Sequence, residues 1–285
     1  MKKNIQEYIE WKAGYAPKAS KVYALHIQRF DRFVGHKKIE NIRLSEIVKF
    51  QEYIRPKFSA ANTAYTMCVI KNFFNFWSKR GLDVINPFLI KIPKFIPKER
   101  SVVDQQDYKA MIETTSELNF EEMGKKLALI LLWETGIRVS ELCDLNVSNI
   151  HTDCRYSMIV TKKNRKFRWI MWSKDAHSFL IEYLGIRLCK SQEESLFISR
   201  ENKRPSTRSI QRWIKDLAKR ASINKRISPH SFRHGKAHYM LSRGANVKEI
   251  QQVLGHSENN PMASFNYIKL DKTEFVNMAD RYLCG

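Results

Sequence analysis

The sequence predicts a mainly α-helical protein with a small β-sheet, an α+β arrangement in which a helical N-terminal domain precedes a mixed C-terminal one. Three observations carry this. Apolar residues in the first third recur at helical spacings. Two short runs rich in β-branched and aromatic residues, 155–160 and 167–172, flank Thr161-Lys162-Lys163-Asn164-Arg165-Lys166, which reads as the basic tip of a hairpin. Between the halves, from Asn86 to about Ser101, the chain has three prolines, four basic residues and no helical period, as an extended linker would. The expected division is a domain at 1–95, a linker at 96–103 and a second domain at 104–285.

The first domain reads as four helices. Ile5, Ile9, Trp11 and Tyr15 begin one amphipathic run; Val22, Tyr23, Leu25, Ile27, Phe30 and Phe33 mark a second over Ser20 to Val34. A third covers Ser45 to Ile54. The fourth, Ala60 to Lys79, carries Tyr65, Val69, Ile70, Phe73, Phe74 and Trp77. That aromatic stripe recurs on one face, which marks it as core and not as a platform for stacking bases.

In the second domain, 106–113 and 122–134 read as helices, the latter ending at Thr135-Gly136, where glycine suits a left-handed C-terminal cap. A new helix begins near Arg138. After the hairpin, helices are expected at about 175–188, 206–221, 229–242, 247–254 and 262–269. The sequence shows no internal repeat and no low-complexity tract.

Composition narrows the function. Lys plus Arg total 50 against 29 Asp plus Glu, a net charge of +21 in 285 residues. Both halves share the basic excess, as two lobes closing around one duplex would. An excess of this size points to a polyanion, with nucleic acid ahead of a membrane surface. The longest clear apolar run, Leu127 to Trp133, is far short of the roughly 18–20 residues of a spanning helix. The opening Met1-Lys2-Lys3-Asn4-Ile5 leads into mixed polar sequence, without a signal-peptide segment, so a cytoplasmic, nucleoid-associated protein is expected. Helix-type sequence begins within the first residues, so no additional DNA-binding module is expected ahead of it. Five cysteines without a C-x-x-C pair argue against a disulfide framework or a structural zinc site.

Ser228-Pro229 has the form of an N-cap followed by proline at the first helical position. His230 and Arg233 then fall in the first turn or so on one face, where their side chains can converge on a single phosphate beside the positive end of the helix. His230, His234 and His238 also stand at i, i+4 and i+8, which could be a metal stripe. However, the residue beside His230 is Ser231 where a metalloprotease has glutamate, and the run contains no carboxylate. Cleaving a phosphodiester loads negative charge onto its nonbridging oxygens, and two guanidiniums can bind these bidentately at any working pH. Arg138 and Arg233 are suited to that clamp.

The strings Thr135-Gly136-Ile137-Arg138-Val139-Ser140-Glu141-Leu142, His230-Ser231-Phe232-Arg233-His234-Gly235 and Leu254-Gly255-His256, followed by Tyr267, resemble the tyrosine recombinase (phage integrase) family, in particular its compact Xer-like members. The resemblance spans most of the chain. It makes the first domain a core-binding, SAM-like DNA-binding domain and the second the catalytic domain. It also implies the roles: Tyr267 as the nucleophile that forms a 3′-phosphotyrosyl link, Arg138 and Arg233 as the phosphate clamp, and Lys162 as the acid for the leaving 5′-oxygen. His230 assists the nucleophile's proton transfer and His256 hydrogen-bonds the scissile phosphate. Glu141 orients the first arginine, although as a carboxylate in a first helical turn it could equally serve only the helix dipole.

Two positions depart from a simple match. Lys163 adjoins Lys162 and competes for its role. In the usual family spacing the tyrosine follows the Leu-Gly-His histidine by nine residues, a slot that holds Phe265 here; Asn259-Asn260-Pro261 reads as a small insertion that shifts the nucleophile to Tyr267. Tyr239 and Tyr282 lack comparable context. The resemblance further implies that neither ATP nor a metal cofactor is needed, and that a homotetramer acts on double-stranded DNA at specific crossover sites through a Holliday junction. Leu270 to Leu283, with Phe275, Val276, Met278, Ala279 and Leu283, would dock as a short amphipathic tail, either on a neighbouring subunit within that tetramer or on its own domain. A type IB topoisomerase is the nearest rival, disfavoured by the small length and helical N-terminal domain. A nonenzymatic DNA-binding protein on the same fold is another, though binding alone has no use for a tyrosine nucleophile.

If the partner is duplex DNA, affinity should fall steeply with salt, with a log–log slope of about 0.9 per phosphate contacted. Titration of binding between low and physiological salt checks this, and a flat response would exclude duplex as the partner.

Overall fold

Helix boundaries in the computed structural model follow from local capping chemistry. The structure describes residues 1–96, 101–160 and 167–255. The chain forms two compact units, Met1–Glu99 and Arg100–Gly285. Among the described residues it is mainly helical and carries one small antiparallel sheet.

The first unit contains α1 (Lys2–Ala13), α2 (Pro17–Phe33), α3 (Leu44–Ile54) and α4 (Ala60–Ser78). Pro17 opens α2 at a position that needs no N–H donor. Ser59 caps α4 by accepting from the Asn62 amide at 3.3 Å. The core joins Tyr8 of α1, Ile27 and Phe30 of α2, Phe50 of α3, and Ile70, Phe73 and Phe74 of α4. Phe30 meets Phe50 and Phe74 edge-on, with centroids 5.0 and 6.1 Å away. The α4 stripe is therefore core at Phe73, Phe74 and Trp77, while Tyr65 is exposed and packs edge-on to Tyr23 and His26. Val22 and Leu25 of α2, expected on the core face, are exposed. The buried side of that helix runs through Ser20, Ile27, Phe30 and Asp31, and at 100° per residue positions 22 and 25 fall on the opposite side.

The second unit contains α5 (Gln105–Glu113), α6 (Phe120–Thr135), α7 (Val139–Asp144), β1 (Tyr156–Val160), β2 (Phe167–Met171), α8 (Lys174–Lys190), α9 (Thr207–Arg220), α10 (Pro229–Ser242) and α11 (Val247–Leu254). Asp104, Asn119, Ser173, Ser206 and Asn246 each accept a first-turn amide at the start of a helix. α6 is buried on nearly all sides, with Leu127, Ala128, Leu129, Leu131 and Leu132 in the core, and packs against α5, α7, α8, α9, α10 and β2. Among the described residues no helix is long and apolar enough to cross a membrane. The hairpin tip Thr161–Lys166, the helix expected at 262–269 and the tail Leu270 to Leu283 lie outside the described residues, as does part of the expected linker.

The β1–β2 pairing sets Tyr156 opposite Met171, Met158 opposite Trp169 and Val160 opposite Phe167, all six exposed, while Ile159 and Ile170 point into the core. α10 lies so close to the segment before α5 that a Cβ on Gly235 would stand 2.0 Å from the Val103 carbonyl oxygen. Gly235→Ala should therefore destabilise the chain by about 1–3 kcal/mol through forced separation of the two backbones. Gly185, a helical glycine in α8 with open space around its Cα, is the control: Gly185→Ala should stabilise by about 0.5–1 kcal/mol. Urea unfolding of both variants measures the pair; equal effects would refute the close-approach argument.

Candidate active site

The end of α6 begins the site. Gly136 takes the left-handed conformation (φ 58°) and its amide reaches back to the Leu132 carbonyl at 3.2 Å. Thr135 Oγ1 donates to the Leu131 carbonyl at 2.6 Å and accepts from the Ile137 amide at 3.1 Å. This tight reversal delivers Arg138 to the N-cap of α7. Glu141, three residues on, accepts from the Arg138 amide at 3.1 Å and from Arg138 Nη1 at 2.8 Å. The carboxylate thus bonds both the start of α7 and the Arg138 guanidinium.

Arg233 projects from α10, whose start is closed by Ser228 and Ser231: the Ser228 amide donates to Ser231 Oγ at 3.2 Å, with Pro229 at the first helical position. Its Nη1 donates to the Gly136 carbonyl at 2.8 Å and its Nη2 to the Leu254 carbonyl. Arg138 Nη2 reaches the Gly255 carbonyl at 3.5 Å, the outer limit of a hydrogen bond. Segments far apart in sequence are thereby joined: Thr135–Arg138, the first turns of α10, and the end of α11.

His230 and Arg233 share a helix but are presented differently. Arg233 is only 2 % exposed, drawn inward by backbone carbonyls, whereas His230 is exposed and lies edge-on to the buried His234 with centroids 4.5 Å apart. The Arg138 side chain, 32 % exposed, is the more accessible guanidinium. Among the described residues no three His, Cys, Asp or Glu side chains gather as a metal-holding group, and His230, His234 and His238 do not form one. Lys162, Lys163, His256 and Tyr267 lie outside the described residues.

One participant escaped the sequence reading: Arg168 on β2. Its Nη2 donates to Glu141 Oε2 at 2.9 Å and its Nη1 to the Val253 carbonyl at 2.6 Å. The signal was period-two alternation, because Ile170 faces inward and a residue two positions earlier in a strand must share its face. Three guanidiniums thus meet the carbonyls of Val253, Leu254 and Gly255, with one carboxylate among them.

Burial pushes the Glu141 carboxyl up, but Arg168 and Arg138 outweigh it, and the group titrates below its ordinary value of 4.5. Because the folded pKa lies below the unfolded one, this carboxylate contributes stability that is present above about pH 4.5 and lost as pH falls through the folded value. Glu141→Gln should therefore reduce the slope of unfolding free energy against pH below 4.5 without abolishing it, since Glu46, Asp104, Glu121 and Glu122 also titrate low. Chemical denaturation from pH 7 to pH 3 provides the measurement; an unchanged acid slope would mean that the carboxylate is not ion-paired in solution.

Known proteins share this chain's sequence pattern and fold. The chain is 28% identical over 281 residues to the tyrosine recombinase XerC of Thermodesulfovibrio yellowstonii, an alignment covering 94% of this chain and 91% of that one. Among solved structures, XerH site-specific recombinase in a post-cleavage complex with its palindromic difH substrate superposes with a TM-score of 0.78 at 16% identity, over 97% of this chain and 83% of that one. A lambda integrase tetramer bound to a Holliday junction gives 0.74 at 19% identity, over 92% and 76%. At such identities the two structures speak for the fold. The phage integrase N-terminal SAM-like domain matches residues 2–83, and the phage integrase family pattern matches residues 101–274. The chain belongs to the phage integrase family.

Proposed function

We propose that this protein is a site-specific DNA recombinase that cleaves and rejoins DNA through a 3′-phosphotyrosyl intermediate. One observation carries the reading in particular: Arg138, Arg233 and the end of α11, remote in sequence, are tied together by hydrogen bonds from Arg233 to Gly136 and Leu254 and from Arg138 to Gly255. The chemistry then runs in balanced steps. The Tyr267 phenol oxygen attacks the scissile phosphorus as its proton passes to the His230 imidazole, which returns it when the step reverses. The bond from phosphorus to the 5′-oxygen breaks, and Lys162 supplies the proton that the leaving oxygen takes. Arg138 and Arg233 stabilise charge on the nonbridging oxygens, joined by His256, while Glu141 orients Arg138. A free 5′-hydroxyl from the partner duplex reverses the step. One phosphoester replaces another throughout, so the exchange itself requires neither ATP nor a metal.

In this reading residues 1–95 form the core-binding domain, 96–103 the linker and 104–285 the catalytic domain. Four protomers act on two crossover sites and pass through a Holliday junction, a reading supported by the fold shared with a lambda integrase tetramer bound to a Holliday junction. The tail from Leu270 to Leu283 bridges neighbouring subunits, and the protein works on the nucleoid. Its basic excess supports binding to duplex DNA.

The test begins with DNA recovered by selecting genomic fragments on the immobilised protein. A suicide substrate nicked beside the crossover point should trap a covalent adduct, and peptide mass mapping should place it on Tyr267. Tyr267→Phe should bind normally and form none; an adduct on Tyr239 or Tyr282 would show the nucleophile misassigned. Arg138→Ala should lose cleavage far more than affinity. On a substrate with sulfur as the bridging leaving atom, Lys162→Ala should recover, because a thiolate leaves with little acid assistance, while Arg138→Ala stays impaired. Rescue of Lys163→Ala instead would move the acid by one residue.

A further inference from the structure

Arg168 enters this site from the hairpin. Strand register pairs it with Ile159 on the inward face, and its side chain is 5% exposed. Burying a guanidinium is expensive unless its N–H groups find acceptors. Here two of them do, on different elements: Glu141 Oε2 at 2.9 Å and the Val253 carbonyl at 2.6 Å. Its stem runs along Gly255, where an added Cβ would come within 2.3 Å of Arg168 Cδ. The same residue therefore braces both the carboxylate that holds Arg138 and the backbone that leads directly into His256.

We propose that Arg168 is a positioning residue for strand cleavage: acting through Glu141 it fixes the Arg138 guanidinium, and through Val253 it holds the end of α11. The inference rests on the recombinase reading above. Glu141 has two oxygens, one on Arg138 Nη1 and the other on Arg168 Nη2. With both occupied, the carboxylate plane is set and Arg138 has one preferred direction. Remove Arg168 and a buried carboxylate loses one of its three donors, while Arg138, partly exposed and long, regains rotameric freedom. Arginine suits the position because its planar fork offers two N–H groups at a fixed angle to two acceptors; a lysine ammonium keeps the charge but not the geometry.

The full-length chain serves for the test, with single-turnover cleavage of the nicked substrate, DNA affinity and melting temperature read for each variant. Arg168→Gln should slow cleavage by about ten- to a hundredfold, the scale typical when the outer partner of a ligating group is lost. Its affinity should stay within about twofold of wild type, because Arg168 touches no phosphate in this reading. Arg168→Lys should fall between the two. In the Glu141→Gln background, Arg168→Gln should cost less than it does alone, since the route through Glu141 is already cut and only the hold on Val253 remains to be lost. The proposal is overturned if Arg168→Gln cleaves at the wild-type rate, if its effect multiplies in full with that of Glu141→Gln, or if affinity drops in parallel with rate. Should Arg168→Gln fail to fold, Arg168→Lys carries the test alone: slowed cleavage that is not additive with Glu141→Gln supports the role, and a wild-type rate overturns it. A wild-type chain that never forms an adduct would instead refute the recombinase reading, so the two failures are told apart.

Discussion

Everything in the candidate site depends on how three arginines are held against the C-terminal end of one short helix. The last carbonyls of a helix have no intrahelical donor, and the helix end carries a partial negative charge of about half an electron. α11 ends at Leu254, and Arg168, Arg233 and Arg138 donate to the carbonyls of Val253, Leu254 and Gly255 in turn. Three guanidiniums so gathered repel one another; two unit charges about 4 Å apart at an effective dielectric of about 20 cost on the order of 4 kcal/mol. The helix end and the Glu141 carboxylate are the countercharges that offset this. Their sum does not neutralise the cluster, and a positive remainder is left in a partly buried site.

Two glycines follow from the same geometry. Gly136 and Gly255 both adopt positive φ, and at both a Cβ would collide with a partner of the cluster: Leu254 Cδ2 at 2.5 Å from Gly136, and Arg168 Cδ at 2.3 Å from Gly255. The reversal at Gly136 also aims its carbonyl at Arg233, so one glycine ends α6, starts the approach to Arg138 and supplies an acceptor. Local backbone chemistry and the placement of charge are here a single constraint.

Much of this was legible in the sequence because it rests on local rules. Gly136 as a left-handed cap, Ser228-Pro229 as a helix start and the alternating strands on either side of the basic tip all reflect preferences confined to a few residues. What escaped was burial by long-range acceptors. Arg187 of α8 and Arg233 of α10 are both buried with carbonyl partners, yet Arg187 closes its own loop onto Ser191, Glu193 and Ser195 while Arg233 joins α6 to α11. Nothing in the spacing of either residue separates those cases. Arg168 was missed for a related reason: a basic residue beside a basic hairpin tip looks solvated until the register turns it inward. Val22 and Leu25 show the converse, apolar residues that hydropathy assigns to the core and helical phase places at the surface.

The same division separates the exposed charges from the buried ones. The basic excess is spread over both halves of the chain, mostly on exposed side chains that mobile ions screen within about 8 Å at physiological ionic strength. Arg168 and Arg233 are shielded from that screening by burial, and Arg138 is shielded in part. Glu141 anchors the cluster from a fully enclosed position, and its carboxylate remains ionised because the arginine attraction exceeds the penalty of burial. Salt therefore acts on the exposed basic side chains far more than on the organisation of the buried cluster. The three guanidiniums are gathered by contacts within the chain itself, because what assembles them is helix carbonyls and one buried carboxylate.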